Sequence, residues 1–347
     1  MKHLGKVALL GLTVLLATGF ATSTVAQEEE ERVLEIGKFY PFLEGGLQIT
    51  QSSYSDNWAG GDRGSIVWTA ILNANAENQL SEKVNWLNTL KLAFGQTHQQ
   101  SLVDGERVWD KPEKSTDLID LETVFRFTLG AWLDPYASGR FESQFQDASD
   151  PFGRNLSLNP LKFREAVGVS RVFIDKKDEK LLSRAGFALR QTSRKIFVEA
   201  PPSDLTASES ANDGGLEWIT DYTNKILEDR VTWTSRLSLY QPFFYSGSDE
   251  FEALTAQQLL DAGLDSDIVD YTKALDIDWE NIFSTQITKI ISVQLYTRFV
   301  YDKYDNSVFP ALKDNGDLKD PVTVKNAVRK AGQFKQTLAI GLTYRFL

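Results

Sequence analysis

The chain has 347 residues, with 48 Asp and Glu against 37 Lys and Arg and a formal net charge of -11, an acidic excess that argues against a nucleic-acid partner, which needs clustered Lys and Arg. It contains no Cys and two His, which excludes disulfides and thiolate metal sites and leaves zinc without a ligand set. A charged fraction of 24% and a mean hydropathy of -0.28 would suit a soluble protein, but a transmembrane barrel averages the same way because its strands alternate polar and apolar residues.

In chain order, Lys2, His3 and Lys6 form a basic start, 7–16 is an almost unbroken apolar run, and Thr24, Val25 and Ala26 place small residues where a signal peptidase reads. This order predicts a cleaved secretory signal over 1–26, its apolar core being too short for a spanning helix. A periplasmic N-terminal segment is expected over 27–39 and a barrel over 40–347. After Gln27 no run approaches the 18 apolar residues of a membrane helix.

The remainder repeats one unit, a polar loop followed by ten to fourteen alternating residues. In 65–77, Ile66, Trp68, Ala70, Leu72, Ala74 and Ala76 share one face, and Ser65, Thr69, Asn73, Asn75 and Glu77 the other. A period of two separates these sets and a helical period would mix them. Strands are expected at 41–53, 64–77, 82–95, 117–129, 131–146, 161–174, 182–196, 214–226, 229–244, 276–288, 291–302 and 333–346. In 161–174 the alternation is spoiled by Lys162, Glu165 and Arg171. The links after even-numbered strands are short, whereas 96–116, 197–213, 245–275 and 303–332 are long. Short turns on one side and long loops on the other are the mark of an all-β fold, a transmembrane antiparallel up-and-down β-barrel of about 12 strands with both ends in the periplasm. Two aromatic belts are expected at the headgroup layers. Tyr40, Phe42, Trp86, Trp132, Trp233, Tyr344 and Phe346 form the inner one, and Trp68, Phe94, Trp218, Tyr240, Phe243, Trp279, Phe299 and Tyr301 the outer one.

Over 47–95, LQITQSSYSDNWAGGDRGSIVWTAILNANA followed by KVNWLNTLKLAFG carries Thr50, Gln51, Ser55, Asn57, Trp58, Gly60, Gly61, Ser65, Asn73, Trp86 and Asn88. This hairpin resembles an uncharacterised exported family of Bacteroidota known as domain of unknown function 3078. The resemblance implies an outer-membrane barrel of a Gram-negative bacterium and brings no activity with it. The last strand is similar to the C-terminal signal read by barrel-assembly machinery, with Phe346 penultimate.

Catalytic material is thin. Beyond the signal the only His is His98, expected in the loop after the third strand, with Ser101 nearby as the one hydroxyl a barrel hydrolase could use. The acidic stretch Asp249, Glu250, Glu252, Asp261, Asp265, Asp267 and Asp270 lacks the order of an EF-hand loop. Phe251, Leu254, Leu259 and Leu260 within it suggest a short helix over the barrel mouth.

Charges belong on the lumen face, since Arg or Lys at the lipid midplane costs about 2–4 kcal/mol. Alternation places Arg126, Arg140, Arg184, Arg190, Arg194, Arg236, Arg298, Asp120, Glu122, Glu217, Asp221 and Glu280 inward as the candidate solute path. Lys91, Lys225, Arg345, Glu44, Glu77, Glu142, Asp278 and Asp302 join them. Arg184, Arg190 and Arg194 form a ladder that could guide an anion. Two readings stay open: a water-filled bore selecting small hydrophilic solutes, or a narrow cylinder filled by its own ion pairs, whose surface loops bind a partner or polysaccharide. A surface hydrolase is a third. The expected setting is the cell outer membrane, among lipid and lipopolysaccharide, reached through the assembly machinery, with no cofactor and no metal.

Overall fold

The computed structural model describes residues 34–54, 63–104 and 106–346. The expected signal peptide over 1–26 and the family residues Ser55, Asn57, Trp58, Gly60 and Gly61 lie outside the described residues. Among the described residues, twelve long strands run as a meander: β1 Phe39–Ser52, β2 Ser65–Ser81, β3 Val84–Val103, β4 Glu113–Phe127, β5 Asp134–Ser143, β6 Leu161–Asp175, β7 Glu179–Phe197, β8 Thr206–Ile226, β9 Val231–Tyr245, β10 Asp276–Gln286, β11 Ile291–Tyr301 and β12 Gln333–Arg345. Each pairs antiparallel with its sequence neighbour, and β1 pairs with β12, so the sheet closes on itself. The chain is a twelve-stranded transmembrane antiparallel barrel, and every expected strand lies on one of the twelve.

Its faces are inverted relative to a water-soluble protein. Phe163, Val167, Phe187, Leu189, Leu216 and Trp218 point outward and are exposed, whereas Glu122, Arg184, Glu217 and Asp213 point inward and are buried. A cylinder with an apolar wall and a polar interior is stable only where lipid surrounds it. The irregular β6 follows the same rule once its parity is fixed. Lys162 and Arg164 line the interior, while Glu165 points outward beside Gln191, 3.5 Å away. Arg171, near the inner end, stacks over Trp132 at 5.1 Å and donates to its carbonyl oxygen at 2.5 Å, a long side chain reaching for the polar interface.

The inner connections are tight turns, and the outer ones are long. Two outer loops are shorter than expected. β3 runs on through Val103 and carries a short strand, Glu106–Trp109, on its flank, and β8 begins at Thr206 rather than near 214. Above the bilayer neither face is apolar, so the ladder continues through residues such as Gln96, Gln99, Ser208 and Ser210 without the alternation that marks a strand. His98 therefore lies in β3, opposite Ile66, and not in a loop.

The loops 246–275 and 302–332 fold into a cap over the outer mouth, built on α1 Ser248–Ala253, α2 Ala256–Asp261, α3 Ile268–Tyr271 and α4 Pro321–Ala327. Thr255 and Gln258 form a reciprocal capping box at α2. Phe251, Leu254, Leu259, Ile268, Tyr304 and Val324 form a core that packs on Tyr245 and Ala211 of the rim. The expectation of helix over the mouth holds for Phe251, Leu254 and Leu259, whereas Leu260 faces outward and is exposed.

Two features set the wall apart. Tyr136, Gly168, Gly186 and Glu217 stand side by side across β5 to β8. A Cβ on Gly168 would lie 2.2 Å from the Ala185 carbonyl oxygen, and one on Gly186 would lie 2.9 Å from the Tyr136 hydroxyl. The missing Cβ atoms thus let the backbones of β6 and β7 approach closely, and the one missing at Gly186 leaves room for the Tyr136 hydroxyl. The second feature is the closing seam, the shortest of the ladders: 44–48 pair with 341–345, and beyond that 49–52 and 333–340 continue as strands without pairing to each other. Gly186→Val should displace Tyr136 and lower the folded fraction, read as the faster-migrating band of unheated protein on a gel. An unchanged band ratio would remove the glycine argument.

Candidate functional site: an ion-paired lumen

The inward side chains are joined into a layer across the middle of the barrel. Arg236 on β9 donates to both oxygens of Glu122 on β4, at 2.8 and 3.1 Å, and Arg184 on β7 donates to the same carboxylate at 2.8 Å. Asp221 sits 3.6 Å from Arg184 and 3.4 Å from Arg236. Arg140 grips Asp120 through two bonds of 2.8 and 3.0 Å and reaches Glu142 at 3.1 Å. Arg164 meets Glu217 at 2.5 Å, and the Tyr136 hydroxyl donates to Glu217 at 2.9 Å. On the other side of the bore Lys91 on β3 bridges to Glu280 on β10 at 3.2 Å, with the Tyr296 hydroxyl on the same carboxylate at 3.0 Å.

β4 and β9, like β3 and β10, stand on nearly opposite walls of a twelve-stranded ring. Direct ion pairs between them mean that the bore at this level is no wider than two side chains. The side chains confirm the packing by their exposure: Arg184 is 2% exposed and Glu217 1%. Charges so buried are tolerable only when paired.

Above this waist a cavity of about 320 Å³ lies under the cap, lined among others by Lys162, Arg190, Asp276, Arg298, Asp302 and Asn306. Below it a second cavity of about 430 Å³ opens at the inner end, lined by Glu44, Gln48, Asn73, Arg230, Gln294 and Arg345. Among the described residues none lines both.

The candidate path residues are therefore split. Asp120, Glu122, Arg140, Arg184, Glu217, Asp221, Arg236 and Glu280 come together at the waist. Arg190 lies above it, bonded to Asp213 at 2.7 Å and Asp276 at 2.9 Å and stacked over Tyr240 at 3.8 Å. Arg298 pairs with Asp278 at 2.7 Å. Arg126 lines a small void near the inner end, and Arg194 lies at the outer rim, donating to Ser149 at 3.3 Å. The ladder of Arg184, Arg190 and Arg194 exists in space, but acids engage its first two members and a hydroxyl its third. Tyr240, expected in the outer belt, is buried in the lumen, and Tyr40 and Phe42 of the expected inner belt also share the inward parity of Glu44. The other belts form: Trp86 stacks on Phe125 at 5.7 Å, Trp233 on Phe283 at 5.7 Å, and Trp68 meets Phe94 at 5.9 Å.

Arg164, Asp213, Asp276, Lys162 and Tyr136 are site residues absent from the sequence-based set. So are Asn306, which ties the cap to the barrel, and Arg329, which holds the 302–332 loop together. Asn306 donates to Asp213 at 2.8 Å, and Arg329 bridges Asp302 and Asp305 at 2.9 and 3.0 Å. His98 packs on Trp109 at 4.9 Å and Ser101 donates to Asp110 at 2.6 Å. Three apart on one strand, His98 and Ser101 occupy opposite faces and do not face each other. In the acidic stretch Asp265 is held by Lys330 at 2.6 Å and Tyr271 at 3.1 Å. Among the described residues no group of three or more His, Asp or Glu is arranged to hold a metal ion.

At the root of the cap, burial and the neighbouring charges of Asp276 and Asp305 push Asp302 up to about 8, against the pull of Arg329. Asp305 moves the other way: burial opposes its charge, but Lys162, Ser307 and Arg329 hold it down at about 2. A raised carboxyl binds its proton more tightly in the folded cap, so its contribution fades as pH rises from about 4 to 8. Asp305 acts in the opposite sense and only in more acidic solution. Protection of cap amides, relative to their intrinsic exchange rate at each pH, should therefore fall between pH 5 and 8, and Asp302→Asn should flatten that fall; an equal fall in the variant would contradict it. At the waist, Glu122→Gln removes the charge of the carboxylate that Arg184 and Arg236 both hydrogen-bond, leaving them only the more distant Asp221, and should destabilise the barrel by about 3 kcal/mol, read by urea unfolding in detergent. An unmoved midpoint would show that the pairs are not buried.

The chain is similar to an outer membrane channel from Pseudomonas putida F1, with a TM-score of 0.38 and 11% identity over 93% of this chain and 100% of that one. It is also similar to the translocator domain of the autotransporter NalP from Neisseria meningitidis, with a TM-score of 0.34 and 8% identity over 89% and 88% of the two chains. No curated protein matches it. Residues 49–148, from the top of β1 to just past β5, match the family described as protein of unknown function (DUF3078), the family that the opening hairpin resembles.

Proposed function

We propose that this protein is an outer-membrane barrel closed to free diffusion at its waist, which works through its outer vestibule and folded cap by binding a small solute, a partner or the surface polysaccharide. The observation that carries this reading is the pair of cross-lumen bridges, Arg236 to Glu122 and Lys91 to Glu280, standing between two cavities that share no lining residue. An open diffusion pore keeps its lining charges hydrated and apart. Here Arg184 and Glu122 are buried against each other, and Lys91 and Glu280 meet in a partly buried bridge.

A second reading, a solute-selective conduit, is favoured by the polar vestibules facing each other across the same waist. It requires the ion pairs to part during passage. The two readings differ in planar bilayers. The closed barrel gives no discrete conductance steps, and a variant with the waist charges removed together (Glu122→Ala, Arg184→Ala, Arg236→Ala, Asp221→Ala) gives them. Steady openings from the unaltered, correctly folded barrel would sink the closed reading and restore the channel.

A further inference from the structure

The seam between β1 and β12 is unzipped over its outer part. Strand geometry persists through Ser52 on one side and from Gln333 on the other, yet the ladder stops at Gln48 and Gly341. β11 and β12 remain fully paired over the same span, from Ser292 with Gly341 to Val300 with Gln333, so β12 presents a free edge only toward β1. Within lipid such an edge is costly unless something polar reaches its backbone.

The residues along the gap carry both chemistries. Phe334, Leu338 and Ile340 point outward and are 66, 69 and 63% exposed, and Ile49 across the gap is 54% exposed. The inward neighbours Lys335 and Thr337 are exposed as well, unlike the buried inward residues of β7 and β8, so β12 is uncovered on both faces along the gap. Lys335 lies beside Arg298 in the β11–β12 ladder, and Arg298 lines the outer cavity. Lys335 rests 5.8 Å from the Tyr296 ring. Among the described residues Lys335 has no carboxylate within ion-pair distance, whereas Lys162, across the cavity, already acts on Asp305.

We propose that this gap is a lateral portal between the outer vestibule and the surrounding leaflet, and that its occupant is a single-chain anionic amphiphile. The anionic head lies against Lys335, with Arg298 and Lys162 behind it. The acyl chain leaves between Ile49 and the Phe334, Leu338 and Ile340 row. A head with acceptor oxygens also offers the free β12 edge the hydrogen-bond partners that a bare hydrocarbon cannot. The assignment goes beyond the closed waist and stands whether or not a solute ever crosses it.

The chain has no Cys, which makes the seam directly testable with paired cysteines. Continuing the register of the zipped part, Thr50→Cys with Ala339→Cys spans the gap, and Gly46→Cys with Thr343→Cys spans the paired part. The gap pair should oxidise at least tenfold more slowly than the control pair; equal rates would mean that the seam is closed and would overturn the portal. A photoreactive diazirine palmitate in phosphatidylcholine vesicles holding the full mature barrel should then label 49–52 and 333–340 at least fivefold above the rest of the lipid face. Oxidising the gap pair should abolish that enrichment, and reduction of the same sample should restore it, which separates closure from misfolding. Lys335→Glu should lower it at least fivefold, and the uncharged methyl ester should label the lipid face evenly. Even labelling by the palmitate, labelling indifferent to the disulfide, or a crosslinked dimer through the β12 edge would each overturn the proposal.

Discussion

A charge inside a lipid-embedded cylinder has nowhere to go but inward, and inside a twelve-stranded ring it soon meets the opposite wall. That confinement organises this molecule. Arg236 cannot face lipid, so it faces the lumen, and there Glu122 from nearly the far side meets it at 2.8 Å. Burial of Arg184 against the same carboxylate follows from the same crowding. The charges that keep the wall apolar also fill the bore.

The rest of the architecture is fitted to that filled middle. Gly168 and Gly186 let their strands approach closely, and Gly186 leaves room for the Tyr136 hydroxyl that donates to Glu217. Ala166 and Ala188, both buried and small, keep the wall thin around the same site, and Tyr240 lies over Arg190 and donates to Asp213 at 3.1 Å. Above, the cap contributes Asn306 to that carboxylate, so the cap core and the barrel lumen share one polar junction. The outer vestibule thus has the paired charges of the waist as its floor and the cap above it, with the unzipped seam to its side.

Much of the fold was legible in the sequence because a bilayer imposes a strict period. Ile66 to Ala76 could only be a strand with one face in lipid, and the sorting of short and long links fixed which ends lie together. The lumen parity of Glu122, Arg184 and Arg236 was legible for the same reason. Their partnership was not, since Glu122 and Arg236 are 114 positions apart and alternation carries no information about which wall a residue faces across the bore. Tyr240 shows how one signal can mask another. It has the parity of Arg236, which places it inside, but an aromatic near a strand end reads as belt. Arg164 was hidden by the irregular neighbours of β6. Asp213 was hidden because β8 extends above the bilayer, where polar residues occupy both faces and the period disappears. Asn306 and Arg329 had no signal at all: their positions depend on the cap fold, which is set by tertiary contacts among Phe251, Ile268, Tyr304 and Val324.

The most direct trial of this account asks whether the waist separates two compartments. With no native Cys, single cysteines can be placed at Ser238, in the outer cavity, and at Ser292, in the inner one, in barrels inserted with one orientation into sealed vesicles. A small charged thiol reagent that cannot cross lipid should modify Ser238→Cys only from the outer side and Ser292→Cys only from the inner side. Modification of either from both sides would mean an open bore and would contradict the closed waist.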